Sequence, residues 1–200
     1  MYISILSSST RINRHSHRVA LGLKQYILKN TLHSAEILDL AAYNFPMMEE
    51  VLHRLSEVPD GLNEFADKIR SSDAFIFVSP EYNGSYTAAL KNAVDYLKES
   101  EFSKKVIGVA SVTSGPMGGM RAALAMQQLA LGISGFTIPQ MLTVGLVIER
   151  FDELGNLIDP AFERKMQFFM DGFLWLAEAV WERKMATVAV QERVNNNVTI

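Results

Sequence analysis

The sequence predicts an α/β domain: a mostly parallel, doubly wound five-stranded sheet with helices on both faces. Three observations carry this. Short apolar runs rich in β-branched and aromatic residues alternate about five times with longer stretches of helical period, and such alternation implies right-handed crossovers between parallel strands. The run Ala74-Phe75-Ile76-Phe77-Val78 is apolar without a break, as a strand covered on both faces requires. Three strand ends lead into loops rich in hydroxyls, glycine or rigid and aromatic residues rather than into plain connectors.

Taken in order, Tyr2 to Leu6 reads as the first strand, and Ala20, Leu23 and Ile27 mark one face of the helix after it. Ala35 to Leu40 is the second strand, followed by a long excursion from Tyr43 to Asp60. Gly61 to Ser71 is a helix carrying Leu62, Phe65 and Ile69, and Ala74 to Val78 is the third strand. Leu90, Val94 and Leu97 stripe the next helix, with Ser85 as its N-cap and Lys91–Asp95 as a surface i, i+4 pair. Val106 to Val112 is the fourth strand, and Met120, Leu124, Gln127 and Leu131 mark the helix that follows. Phe136 to Ile138, running towards Val144, is a weaker fifth strand; Met166, Phe169, Phe173, Leu176 and Val180 belong to a long last helix. Residues 1–184 form one domain and 185–200 a tail rich in Val and Asn, for which disorder and an added strand both stand.

Composition removes several function classes. The chain has 200 residues, 48% hydrophobic and 20% charged, which suits one compact core. A net charge of -3 and a pI near 5.8 leave no basic footprint for nucleic acid. There are no cysteines, so disulfides and thiolate metal sites are excluded. His15, His17, His33 and His53 lack metal-ligand spacing, and His-Glu-X-X-His is absent, so no metal site is expected. Gly-X-Ser-X-Gly and Gly-X-X-X-X-Gly-Lys are absent too, against a serine hydrolase or a P-loop nucleotidase. No segment approaches the roughly 20 apolar residues of a membrane span, and the opening MYISILSSSTR does not look like a secretory leader. The expectation is a cytoplasmic protein without a membrane partner.

In an open sheet of this kind ligands bind outside the carboxyl ends of the strands. After the first strand come Ser7-Ser8-Ser9-Thr10, then Arg11 and Arg14, directly before a helix. A helix N-terminus presents unpaired N–H groups and partial positive charge, to which hydroxyls add donors and arginine a charged fork. That reads as a phosphate seat; helix capping by Ser16 in a solvated loop accounts for the same residues. After the third strand come Pro80-Glu81-Tyr82-Asn83-Gly84. Proline fixes the exit, Gly84 permits close approach of the backbone, and Tyr82 offers a flat wall. Asn83-Gly84 also reads as a two-residue hairpin turn, although helical period rather than alternation follows it. After the fourth strand come Thr113-Ser114-Gly115-Pro116-Met117-Gly118-Gly119, whose glycines serve a turn equally well. Together the three loops describe a pocket for a flat, phosphorylated ligand.

These residues resemble the NADPH-dependent FMN reductase family, within the flavodoxin-like fold. The likeness covers roughly residues 1–183. It rests on Ser8-Ser9-Thr10-Arg11, on Pro80-Glu81-Tyr82-Asn83 with Leu90-Lys91-Asn92-Ala93-Val94-Asp95, and on Ser114 to Gly119. The resemblance implies that Ser9, Arg11 and Ser16, with Thr10 beside them, hold an FMN phosphate. It implies that Pro80, Glu81, Tyr82 and Asn83, closed by Gly84, line the isoalloxazine, and that Ser114, Gly115, Gly118 and Gly119 meet its pyrimidine side. No side chain is assigned a catalytic role, and Glu81 reads as structural. NADPH or NADH is the implied donor, with Arg11, Arg14 and Arg121 as available cations. A small molecule (quinone, azo compound, free flavin or metal ion) is the acceptor. A homodimer or homotetramer is implied as well. Tyr43, Phe45, Met47 and Met48 are candidates to cap a neighbouring subunit's flavin, and Met117, Met120 and Met126 read as an oligomer face or as core. Two positions depart from the family: Ser8 stands where glycine is usual, and Ser85-Tyr86-Thr87 replaces Ser-X-Pro.

The expected function is therefore FMN-dependent oxidoreduction, hydride passing from a nicotinamide to flavin and on to the acceptor. The alternative is a flavodoxin-type electron carrier with no turnover of its own. Arg11 and a charge of only -3 weigh against it.

Overall fold

The computed structural model describes residues 1–198, with side chains as far as Val190. Four strands run parallel: β1 (Tyr2–Ser7), β2 (Ser34–Asp39), β3 (Ala74–Pro80) and β4 (Val106–Val112). Their order is β2-β1-β3-β4, so the chain reverses its direction of travel between β1 and β3. Beyond β4 the expected fifth strand is two short pieces, β5 (Phe136–Thr137) and β6 (Leu142–Val144), each parallel to β4. Pro139 explains the break, because it has no N–H for the ladder. The Ile138 carbonyl beside it accepts instead from Gln127 Nε2 at 2.9 Å. The sheet thus has six strands by count, with one edge interrupted.

The helices are α1 (Ser16–Asn30), α2 (Leu40–Tyr43), α3 (Leu62–Ser71), α4 (Ala88–Asp95), α5 (Met120–Gly132), α6 (Val147–Arg150) and α7 (Pro160–Val198). α1 and α7 cover one face, where Leu23, Ile27, Phe169 and Phe173 pack with Ile3, Ile5 and Ile76. α3, α4 and α5 cover the other, where Phe65, Ile69, Leu90 and Met126 pack with Leu6, Phe75 and Phe77. Alternate residues of β3 thus enter opposite cores, which is why its sequence is apolar throughout. Gly108 lets α7 come close: a Cβ there would lie 2.9 Å from Phe169 Cζ.

Four details differ from the sequence reading. The apolar stripe chosen for α5 faces outward, with Leu124 and Leu131 exposed by 48% and 61%. The buried face is Ala122, Ala123, Met126 and Ala130, small residues that bring the helix close to the sheet. Of the three methionines, Met126 is core, while Met117 and Met120 are exposed. The excursion after β2, to which the sequence reading gave no structure, is packed. Tyr43, Phe45 and Phe65 form an aromatic cluster, and Asn92 fastens the segment by accepting from the Met48 amide at 2.7 Å and donating to the Pro46 carbonyl at 2.7 Å. The N-cap of α4 is Thr87, not Ser85. Finally, α7 continues as helix through the stretch for which disorder and a strand were the alternatives; residues 199 and 200 lie outside the described residues.

Candidate active site

The three loops meet. They converge on a cleft of about 370 Å³ at the carboxyl edge of the sheet, where strand order reverses between β1 and β3. Of the residues singled out in the sequence, Ser9, Arg11, Ser16, Pro80, Glu81, Tyr82, Asn83 and Ser114 line it. Thr10 does not; it faces a smaller hollow of about 180 Å³ shared with Phe45 and Met47. Gly84, Gly115, Gly118 and Gly119 do not line it either, and shape the loops from behind.

The first wall is the opening of α1. His15 offers it no side-chain cap, and its first turn holds no acidic residue. Ser16 is the first helical residue, and its buried Oγ has no hydrogen-bond partner among the described residues. The capping reading of Ser16 therefore fails. A buried hydroxyl without a partner costs about 1–3 kcal/mol, and a phosphate oxygen at this helix end, which lacks a side-chain cap, would satisfy it, so the residues present fit a phosphorylated ligand.

Arg14 is not available for that role. It forks onto Asp39 at the end of β2, with Nη2 donating to Oδ2 at 2.6 Å, and Nη1 also donates to the Ser9 carbonyl at 3.2 Å. Burial raises the Asp39 carboxyl, but bonds from Arg14 and the Ala41 amide outweigh it and hold the group below the usual range. Nearby, His17 Nδ1 lies 2.9 Å from Ser7 Oγ; burial lowers its imidazole, opposed by Asp39 and aided by Arg14. Arg11 forms no ion pair among the described residues, and its guanidinium lies over the Tyr82 ring, 4.2 Å from the centroid. Tyr82 OH in turn lies 3.0 Å from Ser9 Oγ, which joins the first and second loops.

In the second loop the Tyr82 amide donates to the Ser85 carbonyl at 2.8 Å, and the Ser85 amide donates back at 3.1 Å. Asn83 and Gly84 between them have φ of 51° and 86°, the conformation of a two-residue hairpin turn. Both sequence signals were real: the chain reverses once and then enters α4. Glu81 lines the cleft and is held by the start of α5. Arg121 Nη2 donates to its Oε1 at 2.7 Å, and the Ala122 amide to its Oε2 at 3.4 Å, which ties the loop to the start of α5. Burial raises the Glu81 carboxyl, but these donors prevail and leave it below the usual value.

The third loop is laced to β4, to the end of β6 and to the chain just after it. Thr113 N donates to the Val144 carbonyl at 2.9 Å, Leu146 N to Gly115 at 3.1 Å, and Ser111 Oγ to Gly118 at 2.6 Å. Gly145 makes this possible, since a Cβ there would lie 2.4 Å from the Pro116 carbonyl oxygen. Sequence reasoning missed Gly145 and the cleft-lining Val147, because both follow a strand too short to announce its end. It assigned no ligand contact to Asn13, His15 or Thr113, which lie within the first and third loops, or to Val112 at the end of β4, although all four line the cleft.

Residues 1–147 match the sequence pattern of the NADPH-dependent FMN reductase family. The chain belongs to that family. A quinone reductase from Pseudomonas putida is 32% identical over 178 residues, covering 86% of this chain and 91% of that protein. An NADPH azoreductase from a Bacillus species is 29% identical over 127 residues, covering 62% of this chain and 69% of that protein. Among solved structures, the flavoenzyme NAD(P)H:(acceptor) oxidoreductase FerB from Paracoccus denitrificans superposes with a TM-score of 0.76 at 21% identity, over 89% of this chain and 97% of that one. That likeness establishes the flavodoxin-like fold. As an FMN reductase family member the chain is an NAD(P)H-dependent flavin oxidoreductase, and no helix among the described residues is long and apolar enough to cross a membrane.

Proposed function

We propose that FMN lies in the cleft between the β1, β3 and β4 loops, held by residues 1–184, and serves reduction of a small acceptor such as a quinone or azo compound. The observation that carries this is the unpaired, buried Ser16 hydroxyl at the uncapped start of α1, inside the cleft. Ser16, Ser9 and the α1 amides would take the phosphate, and Arg11 would leave the Tyr82 face to pair with it. Pro80, Tyr82 and Asn83 would wall the ring, with the hairpin turn holding main-chain N–H groups towards it. Glu81 keeps that wall at a set distance from α5 through Arg121 and Ala122. The third loop, braced through Gly145, would face the pyrimidine edge with Ser114. When bound, the flavin supplies the two-electron chemistry, accepting hydride from the nicotinamide and giving it to the acceptor. All cleft residues precede position 148, consistent with 185–200 being an appendage.

We further infer a homodimer or homotetramer in the cytoplasm, where the reductant is found. Exposed Met117, Met120, Leu124 and Leu131 at and along α5 support self-association. Sedimentation velocity tests it; a monomer at micromolar concentration would refute it. The functional test is a visible spectrum of the purified protein, an FMN titration, and NADPH oxidation with and without a benzoquinone. A yellow protein with quinone-dependent turnover is expected. A protein that takes up no FMN would end the proposal, and one that binds FMN without turnover would be the electron carrier instead.

A further inference from the structure

At the amino end of the sheet α7 runs past β5 and leaves a groove of about 590 Å³, a volume suited to a small organic ligand. Its walls are apolar, formed by Phe136, Ala179, Val180 and Val188. Among the described residues its charged lining is Lys104, Lys105, Arg183 and Lys184, with no acidic residue, in a chain whose net charge is -3. The groove is remote from the flavin cleft. Lys105 precedes β4 and Val112 ends it, so its seven residues place the two about 23 Å apart at roughly 3.3 Å per residue.

Lys105 forms the floor. It is 7% exposed, and its Nζ donates to the Ile69 and Arg70 carbonyls at 2.8 and 3.0 Å, closing the carboxyl end of α3. That places two of its three N–H bonds. Burial pushes this ammonium down to about 8, Lys184 adds repulsion, and Asp73 and Glu101 oppose both. Of the nearby acids, Asp73 accepts from the Tyr2 amide at 2.9 Å and pairs with Lys184 at 3.6 Å, and Glu101 lies 3.3 Å from Arg70 Nε, so Lys104, Lys105 and Arg183 are the groove cations without an acidic partner among the described residues. A second copy of α7 laid here with its twofold axis at Arg183 and Lys184 would set these residues against their own images. The charge pattern favours a small anion over that partner.

We propose that this groove binds an amphiphilic carboxylate, its head between Lys104, Lys105 and Arg183 and its apolar body along Phe136, Val180 and Val188. Neither wall nor head group involves the flavin cleft, so the site stands or falls apart from the oxidoreductase assignment. The test is calorimetric titration of the full-length, FMN-loaded protein with decanoate below its micellar concentration, beside 1-decanol as the uncharged control. Saturable decanoate binding is expected, with decanol weaker by about tenfold or more. The exposed pair Lys104→Glu/Arg183→Glu should weaken decanoate by a similar factor and leave FMN content and NADPH–quinone turnover unchanged. Decanoate affinity should also fall as pH rises from about 7 to about 9, because the anion favours the charged form of Lys105. Absence of saturable heat, equal binding of acid and alcohol, or indifference to the charge reversal would each overturn the site. So would a change in sedimentation of the ligand-free charge-reversed protein, which would mean that a second copy covers the groove.

Discussion

Replacing Thr87 with valine tests how α4 and the second loop are held against the first. Thr87 is 3% exposed. Its hydroxyl donates to the Ser8 carbonyl at 3.0 Å and accepts from the Leu90 amide at 3.2 Å, while its own amide donates to Ser79 Oγ at 3.0 Å. Valine keeps the shape and the amide but removes both hydroxyl bonds. Loss of an N-cap oxygen costs about 1 kcal/mol, and a buried carbonyl deprived of its donor costs about 1–3 kcal/mol. The two bonds share one hydroxyl and do not add fully, so the expected loss is about 2–3 kcal/mol. For a domain of this size that lowers Tm by about 4–12 °C in a calorimetric melt. Because Ser8 precedes Ser9, FMN affinity should fall too, and Thr87→Ser should restore most of both. A valine variant melting within about 1 °C of the parent would refute this account, since neither bond would then contribute measurably.

Arg11→Ala should weaken FMN binding by about 1.5–3 kcal/mol, the scale of a hydrogen bond to a charged group, with little change in Tm because Arg11 is exposed; an unaltered dissociation constant in a fluorescence titration would remove Arg11 from the phosphate site. Gly145→Ala should displace the third loop, since its Cβ would meet the Pro116 and Gly115 backbone, and should cut FMN affinity while far-UV dichroism stays native; tight FMN binding by this variant would show that the loop has room to move. Glu81 has a folded pKa below its ordinary value of 4.5, so its contribution to stability is complete above that value and disappears as pH falls through it towards the folded one. Glu81→Gln should therefore melt below the parent at neutral pH and converge with it in acid, and melts separated by the same interval at every pH would contradict the clamp.

The sheet and the three ligand loops were legible because they rest on local signals. An apolar run reads as a doubly covered strand, and a proline, a tyrosine and an Asn-Gly pair read as a rigid turn. What could not be read was the partner each side chain would choose. The stripe Met120, Leu124, Leu131 has helical period, yet it lies outward because alanines let α5 approach the sheet on its other side. Thr87 stands where the family's pattern has proline, a residue that would give the helix a rigid start. Its φ of −69° is one proline would adopt, but proline could make none of the three bonds that Thr87 makes. The arginines show the same limit. In sequence Arg11, Arg14 and Arg121 are equivalent cations near glycine-rich or hydroxyl-rich loops. The parallel register that sets Ser7 beside Asp39 brings an acid to the mouth of the first loop, and Arg14 takes it. The course of the second loop brings Glu81 to the head of α5, and Arg121 takes that. Both selections depend on residues 25 and 40 positions away, which no local pattern contains. Arg11, resting on an aromatic face rather than an acid, gives up little when an anion arrives, since a cation–π contact at an exposed site is worth about 0.5–1 kcal/mol against about 1.5–3 for a charged hydrogen bond. The fold engages Arg14 and Arg121 with acids and leaves Arg11 without an ion pair among the described residues, which supports the phosphate role proposed for it.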